Sequence, residues 1–163
     1  MRTYIVIELT LLLVLTNGAP VLASLLLRQC LNQPLDGNTR FIDGRPLLGP
    51  AKTIRGIISA LLLTALMAPL FSLSAGQGAL FALLAMCGDL VSSFIKRRLG
   101  IASSHSAPLL DQLPETLLPL GVMHPVLGET VQEACIVLLV FVAIDWLISR
   151  LRETVSGGAG DAG

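Results

Sequence analysis

Charge is scarce in this sequence. Asp, Glu, Lys and Arg make up 13% of its 163 residues, about half the share of an ordinary soluble domain, and eleven basic residues are cancelled by eleven acidic ones. A nucleic-acid binder needs a basic surplus to displace counterions, and at 4% aromatics there are few rings for bases to stack on, so that class is excluded. Cysteine is equally sparse: Cys30, Cys87 and Cys135 stand far apart with no CxxC spacing, which leaves neither a disulfide framework nor a zinc site. Internal repeats are missing too. Apolar residues, by contrast, reach 53%, and a mean hydropathy of +0.78 places this one-domain length of chain in the membrane class.

Residues 5–27, 57–73, 79–95 and 131–148 each approach the roughly 20 apolar residues that a helix needs to cross a bilayer. The first contains Asn17-Gly18-Ala19-Pro20 at mid-depth, where proline frees a carbonyl and Asn17 needs a partner, so a bent helix packed against others is expected. Its single leading Arg and the apolar residues beyond Pro20 fit a retained span better than a cleaved signal peptide. A fifth span, 113–127, is short and broken by Pro114, Pro119 and Pro125, and charge placement identifies it where hydropathy does not. If it crosses, ten of the eleven basic residues fall on one side, which the positive-inside rule makes the cytoplasm. The expected fold is an all-α integral membrane protein. It is a single domain of five transmembrane helices over 1–155 with the N-terminus outside, the C-terminus inside and a polar site facing the cytoplasm; 156–163, small and polar, is expected to be a disordered tail.

Polar groups inside such a domain need a reason, because a charge at the bilayer centre costs roughly 2.5–3.5 kcal/mol on insertion scales. Asp89 lies two helical turns before Lys96, about 10 Å below the cytoplasmic end. Asp89, Ser92, Ser93 and Lys96 share one helical stripe, which suits either an intrahelical Asp89–Lys96 pairing or a site. In the next segment Asp111 and Glu115 are one helical turn apart. Pro114 suggests a helix starting only there, which would make Asp111 a cap. Asp89 and Asp111 flanking one basic loop also suit Mg²⁺, which takes one or two protein carboxylates and leaves its other positions to water and phosphate. Lys52, Thr53 and Arg55, where a glycine-rich loop re-enters the membrane, suit a polyphosphate, although basic residues there also serve topology and anionic lipid. The loop lacks Walker A spacing.

Three stretches taken together, Asp43-Gly44-Arg45-Pro46-Leu47-Leu48-Gly49-Pro50-Ala51-Lys52-Thr53-Ile54-Arg55-Gly56, Gly88-Asp89-Leu90-Val91-Ser92-Ser93-Phe94-Ile95-Lys96-Arg97-Arg98-Leu99-Gly100 and Pro108-Leu109-Leu110-Asp111-Gln112-Leu113, resemble the CDP-archaeol synthase family. That family comprises small five-span proteins related to the CTP:phosphatidate cytidylyltransferases. The Asn17-Gly18-Ala19-Pro20 element resembles the family's start, and the closing helix is similar only in hydrophobicity. The resemblance implies Mg²⁺-dependent transfer of CMP from CTP to a lipid phosphate, with pyrophosphate released. It implies catalytic roles for Asp89, Lys96 and Asp111, metal binding by Asp89, Asp111 and Glu115, and substrate contacts from Asn17, Asp43, Lys52, Thr53, Arg55, Ser92, Ser93, Arg97 and Arg98. One departure stands out: family members usually carry a second acid shortly after the Asp-Gln pair, where this chain has Pro114 followed by Glu115. Either Glu115 substitutes from one position further on, or metal binding is altered.

The dominant need in joining two phosphates is charge neutralisation, and a phosphate monoester is already a nucleophile near neutral pH. His105 and His124 are therefore read as bystanders, the first in an exposed loop and the second outside. Two other classes compete with a lipid cytidylyltransferase. A CDP-alcohol phosphatidyltransferase would consume CDP-lipid, but the spaced acidic pattern of such enzymes is absent around Asp36-Gly37 and Asp43-Gly44; a non-enzymatic module or transporter would use the polar stripe for packing or ion passage. The expected partners are CTP, a lipid phosphate and membrane lipid. Gly76, Gly78, Ala79, Ala82 and Ala85 allow close helix contact within one subunit or in a homodimer.

Overall fold

The computed structural model describes residues 2–28, 31–102 and 108–157. It is all-helical apart from two isolated β-bridges: α1 (Thr3–Leu27), α2 (Ile54–Met67), α3 (Ala75–Arg98), α4 (Pro108–Leu127) and α5 (Val131–Gly157). A 3-10 turn, Ala68–Phe71, follows α2, because Pro69 has no N–H with which to continue the α-helical ladder. Ser74 and Gln77 then start α3 with a reciprocal capping box. Pro20 stays inside α1, where Asn17 finds the partner it needs in its own helix, its Nδ2 donating to Leu13 O at 3.1 Å.

Four helical segments, Thr3–Leu27, Ile54–Phe71, Ala75–Arg98 and Val131–Arg150, are long and apolar enough to cross a membrane. The fifth, α4, fails on apolarity but is placed by its neighbours. Its start lies at the end of α3, where Lys96 meets Asp111. Its last turn shares a cavity wall with Arg2, Tyr4 and Leu73, and Arg2 donates to Gly128 O just beyond it. Twenty helical residues rise about 30 Å, so α4 runs antiparallel to α3 through the same thickness. It begins at Pro108, a proline in the first helical position, and not at Pro114. Asp111 is therefore a first-turn residue facing the helix dipole and not a cap, which corrects the sequence reading.

The bundle packs α3 between α2 and α4, α1 against α2 and α5, and α4 against α5. Its apolar core occupies the half away from the loop of 28–53, built from Leu9, Leu12 and Leu13 of α1, Phe81 and Ala85 of α3, Leu120 and Met123 of α4, and Val137 and Phe141 of α5. Two glycines set the spacing of α3. A Cβ at Gly78 would stand 2.3 Å from Ala68 Cβ, and one at Gly88 would stand 2.3 Å from Pro114 O. Gly78, Ala82 and Ala85 are buried within the subunit, so part of the small-residue stripe serves an internal contact. Large apolar side chains such as Leu11, Leu22, Leu62, Leu66, Leu83, Leu139 and Leu147 point outward as a lipid-facing belt. The last helix runs to Gly157, so the expected tail loses its first two positions to α5; its remainder and His105 lie outside the described residues.

Arg2 clamps the opposite end. It is ion-paired with Glu133 at 2.9 Å, and Glu133 also accepts from Thr130 N at 2.9 Å to cap α5. His124 is at this end too, its Nδ1 3.5 Å from Glu129, as far from the polar loop as the sequence placed it.

Candidate active site

The loop between α1 and α2 is organised around Asp36. Its Oδ2 accepts from Leu48 N at 2.9 Å and Gly49 N at 3.1 Å, and its Oδ1 accepts from Asn38 N at 3.0 Å. Burial pushes this carboxyl up, but the three amides outweigh burial and hold it below the ordinary Asp value. Gly49 has φ +96°, which a side chain would strain, and the loop then delivers Lys52 and Thr53 to the start of α2. Thr53 is the N-cap of α2, accepting from Gly56 N at 3.2 Å.

Lys52 reaches across to α3 and donates to both oxygens of Asp89 at 2.6 Å. A second such pair forms where α3 ends: Lys96 Nζ lies 2.8 Å from Asp111 Oδ1, while hydrogen-bond geometry is satisfied at Oδ2, at 2.9 Å. The intrahelical Asp89–Lys96 pairing therefore does not form; each group takes a partner from another element. All four side chains are at least three-quarters buried, so a lone charge among them would be costly and each pair is internally neutral. Between α1, the loop, α2 and α3 lies a cavity of about 320 Å³, walled by Lys52, Thr53, Arg55 and Asp89 on its polar side and by Pro20 and Met86 on its apolar side. The first turn of α2 also lines it, bringing the positive end of a helix dipole to the same space.

Buried Glu115 lies within electrostatic reach of Asp89, Lys52, Asp145 and Asp111, and so links the two pairs. The contact between Gly88 and Pro114 brings it there, because α3 and α4 touch backbone to backbone one residue before Asp89 and one before Glu115. Among the described residues, no three His, Cys, Asp or Glu side chains converge closely enough to hold a metal as a protein-only cage. Asp89 still offers hard carboxylate oxygens to the cavity, and Asp111 offers its own beside Lys96 at the end of α3; carboxylates of this kind fit Mg²⁺, with its remaining positions left to water and phosphate.

The other expected site residues are distributed differently. Arg55, buried, donates to Arg28 O at 2.6 Å and to Asn32 Oδ1 at 3.1 Å while lining the cavity. Ser92 and Ser93 are buried, and Ser92 Oγ bonds back to Asp89 O at 2.9 Å, next to the pair. Arg97 donates to Ile101 O at 2.6 Å and closes the end of α3. Arg98 pairs with Asp43, bonds Pro46 O and lies 4.7 Å over the Phe41 ring, which fastens the first loop to α3. Asp43 thus anchors that loop and does not line the cavity. Asn17 lines a separate, smaller cavity between α1 and α5. Sequence reasoning missed Gln112 and Asp145, which are hydrogen-bonded beside the second lysine pair. The available signal was a single acid in the otherwise apolar run of α5, the same insertion-cost argument that picked out Asp89.

Residues 4–152 match the family model described as CarS-like: CDP-archaeol synthase. Proteins named CDP-archaeol synthase are similar over shorter or longer stretches. The one from Hyperthermus butylicus is 43% identical over 103 residues, covering 60% of this chain and 58% of that protein; the one from Aeropyrum pernix is 38% identical over 105 residues, covering 61% and 57%. Those alignments span less than two thirds of the relatives' lengths. The Thermococcus kodakarensis protein is 35% identical over 143 residues, covering 80% of this chain and 79% of its own. A solved structure described as an intramembrane enzyme for archaeal membrane lipid biosynthesis superposes with a TM-score of 0.73 at 33% identity, covering 89% of this chain and 92% of that one.

Proposed function

The chain belongs to the CDP-archaeol synthase family, and from that premise we propose that it transfers CMP from CTP to a membrane lipid phosphate, giving a CDP-lipid and pyrophosphate. The observation that carries this reading is the pair of lysine–carboxylate bridges at the loop end of an apolar bundle: Lys52–Asp89 in the wall of a cavity that a helix N-terminus also faces, and Lys96–Asp111 where α3 ends. Each lysine is stored on a carboxylate until an anion arrives. A phosphate that draws Lys52 or Lys96 away receives a cation already desolvated and aimed.

In the reaction an oxygen of the lipid phosphate attacks the α-phosphorus of CTP. The bond from that phosphorus to the oxygen bridging the β-phosphorus breaks, and pyrophosphate leaves with the electron pair. Both reactants are anions, so this chain's contribution is mainly to hold and neutralise them. Lys52, Thr53, Arg55 and the first turn of α2 suit the polyphosphate, while Lys96 suits the acceptor or the α-phosphate. Asp89 and Asp111 would hold Mg²⁺, with Glu115 behind them, and the bound ion would supply further charge neutralisation on the phosphates. Arg97, Arg98 and Asp43 keep the loop and the end of α3 in register around that space.

Ten of the eleven basic residues lie at the site end or in the loops joining it, and Arg2 alone is at the other. By the positive-inside rule the site faces the cytoplasm, with the N-terminus outside and the C-terminus inside. CTP then enters from water while the lipid tail stays among the outward-facing leucines. The residues assigned above all come from one chain, and the small-residue stripe would also allow a homodimer. The relatives' name favours an ether-linked isoprenoid acceptor over a diacyl one.

The test is incubation of the purified protein with labelled CTP, Mg²⁺ and two lipid phosphates, one ether-isoprenoid and one diacyl, beside Asp89→Asn and Asp111→Asn. The expected result is a CDP-lipid from the wild type and none from either variant. CTP binding without product from either lipid, or full activity in both variants, overturns the reading.

A further inference from the structure

Asp145 is the only charged side chain of α5 between Glu133 and Arg150, within a run that otherwise reads Ala, Cys, Ile, Val, Leu, Phe, Trp and Ser. A lone carboxylate in a membrane helix is expensive and calls for a partner. One partner is on α4: Gln112 Nε2 donates to Asp145 Oδ2. With its nitrogen turned toward Asp145 Oδ2, the amide points Oε1 the other way. Gln112 is 3% exposed, and its buried Oε1 has no hydrogen-bond partner among the described residues. It directly follows Asp111, which is held on Lys96 at the candidate site. Asp145 is also within electrostatic reach of Glu115, one turn further along α4. None of the stretches matched to the family motifs lies on this helix; Gln112, in the third of them, reaches it from α4.

We propose that Asp145 is a positioning residue for the reaction. By fixing the Gln112 amide it sets the register of the first turns of α4, and with it the place of Asp111 against Lys96, while keeping Gln112 Oε1 open as an acceptor for a donor that arrives with the substrates. The inference rests on the cytidylyltransferase reading above. It locates a specific dependence of that chemistry on α5, the helix that carries none of the sequence motifs.

The experiment is a double-mutant cycle on the full chain in detergent, with CTP and the acceptor lipid phosphate, reading kcat, KM for CTP and the thermal melt. Asp145→Leu is expected to lower kcat about ten- to a hundred-fold, the scale of an ångström-level misplacement, with KM changed much less. Gln112→Leu should lose as much, and the double variant no more than either single one. Asp145→Asn, which still offers an oxygen to Gln112 Nε2, should stay within about threefold of wild type. Losses that multiply in the double variant, a kcat for Asp145→Leu within about twofold of wild type, or an Asp145→Asn as impaired as Asp145→Leu each overturn the inference. Should Asp145→Leu fail to fold, the other two single variants decide: near-full kcat in Asp145→Asn with a ten-fold or larger loss in Gln112→Leu supports it, and any other pattern overturns it. A wild type that forms no CDP-lipid overturns the functional reading, and this inference with it; an active wild type with uncoupled losses overturns this inference alone.

Discussion

Gly88 is where a single methyl group should separate fold from chemistry. Its added Cβ would lie 2.3 Å from Pro114 O, 2.5 Å from Pro114 C and 2.6 Å from Glu115 Cα. All three are backbone atoms, so no side-chain rotation relieves the clash, and comfortable carbon contacts start at about 3.5 Å. In Gly88→Ala, α4 must therefore retreat from α3 by about an ångström at the level of Asp89. Overpacking of this kind costs about 1–3 kcal/mol of stability, while an ångström of misplacement between Asp89 and the Asp111–Glu115 turn should cost about a hundred-fold in kcat. Two other glycines calibrate the result. Gly78→Ala meets Ala68 Cβ at 2.3 Å and Thr64 O at 2.9 Å, so it should destabilise comparably but spread α2 from α3 in the half away from the site. Gly121→Ala on α4 meets nothing within 4 Å and should match or exceed wild-type stability, since alanine is the better helix former by about 1 kcal/mol. CDP-lipid formation and thermal melts of the three variants in detergent are the assay. Equal losses of kcat in the Gly78 and Gly88 variants, or an unaffected Gly88→Ala, would refute the argument that this contact holds the site.

Lys52→Met leaves Asp89 as a partly buried, uncompensated charge and should cost about 3–5 kcal/mol, whereas Lys52→Met with Asp89→Leu should regain much of that stability without regaining activity; a single variant as stable as wild type in chemical denaturation contradicts this. Because Asp36 is held below the ordinary carboxyl value, its contribution to the loop is complete above about pH 4 and is lost as pH falls through its lower folded-state value. Amide protection at Leu48 and Gly49, relative to the intrinsic exchange rate at each pH, should fall on acidification in the wild type and be low already at neutral pH in Asp36→Ala; equal protection in the two would count against the cap. At the far end, Arg2→Ala should lower the melting temperature and leave kcat and KM for CTP unchanged, since its partners Glu133 and Gly128 are remote from the cavity; a change in KM would show that the clamp reaches the site.

The helices themselves were readable from hydropathy, with ends that differ for local reasons. Span two stops early in α form because Pro69 converts its last turn to 3-10, and span three gains length at both ends, from the capping box at Ser74 and from the polar residues Lys96, Arg97 and Arg98 that a hydropathy window discards. The fourth helix was the instructive case. Its prolines and its Asp111-Gln112 turn depress hydropathy, yet the placement of Lys and Arg on either side favoured a crossing there, and α4 runs antiparallel to α3 over that segment. Asp111 as a cap was wrong for a positional reason: Pro108 starts the helix a full turn earlier than Pro114 could.

The candidate site could be named residue by residue from the sequence, but its pairing could not be read there. One stripe on α3 does carry Asp89, Ser92, Ser93 and Lys96, as periodicity required, but the periodicity of one helix says nothing about which side chain from another element stands closer. Lys52 arrives from a loop whose path depends on the amides gathered by Asp36, and Asp111 arrives from a helix whose approach depends on Gly88. The equality of eleven basic and eleven acidic residues takes on meaning in that light. A polyanion site at the edge of a membrane cannot keep bare ammonium groups at rest, because a desolvated charge without a partner is too costly to fold around. In the proposed reading its lysines are parked on carboxylates and released to phosphate, so the two pairs add no basic surplus to the composition. A charge count that excludes nucleic acid is therefore compatible with a nucleotide site of this kind, and the arrangement of charge across elements is what distinguishes them.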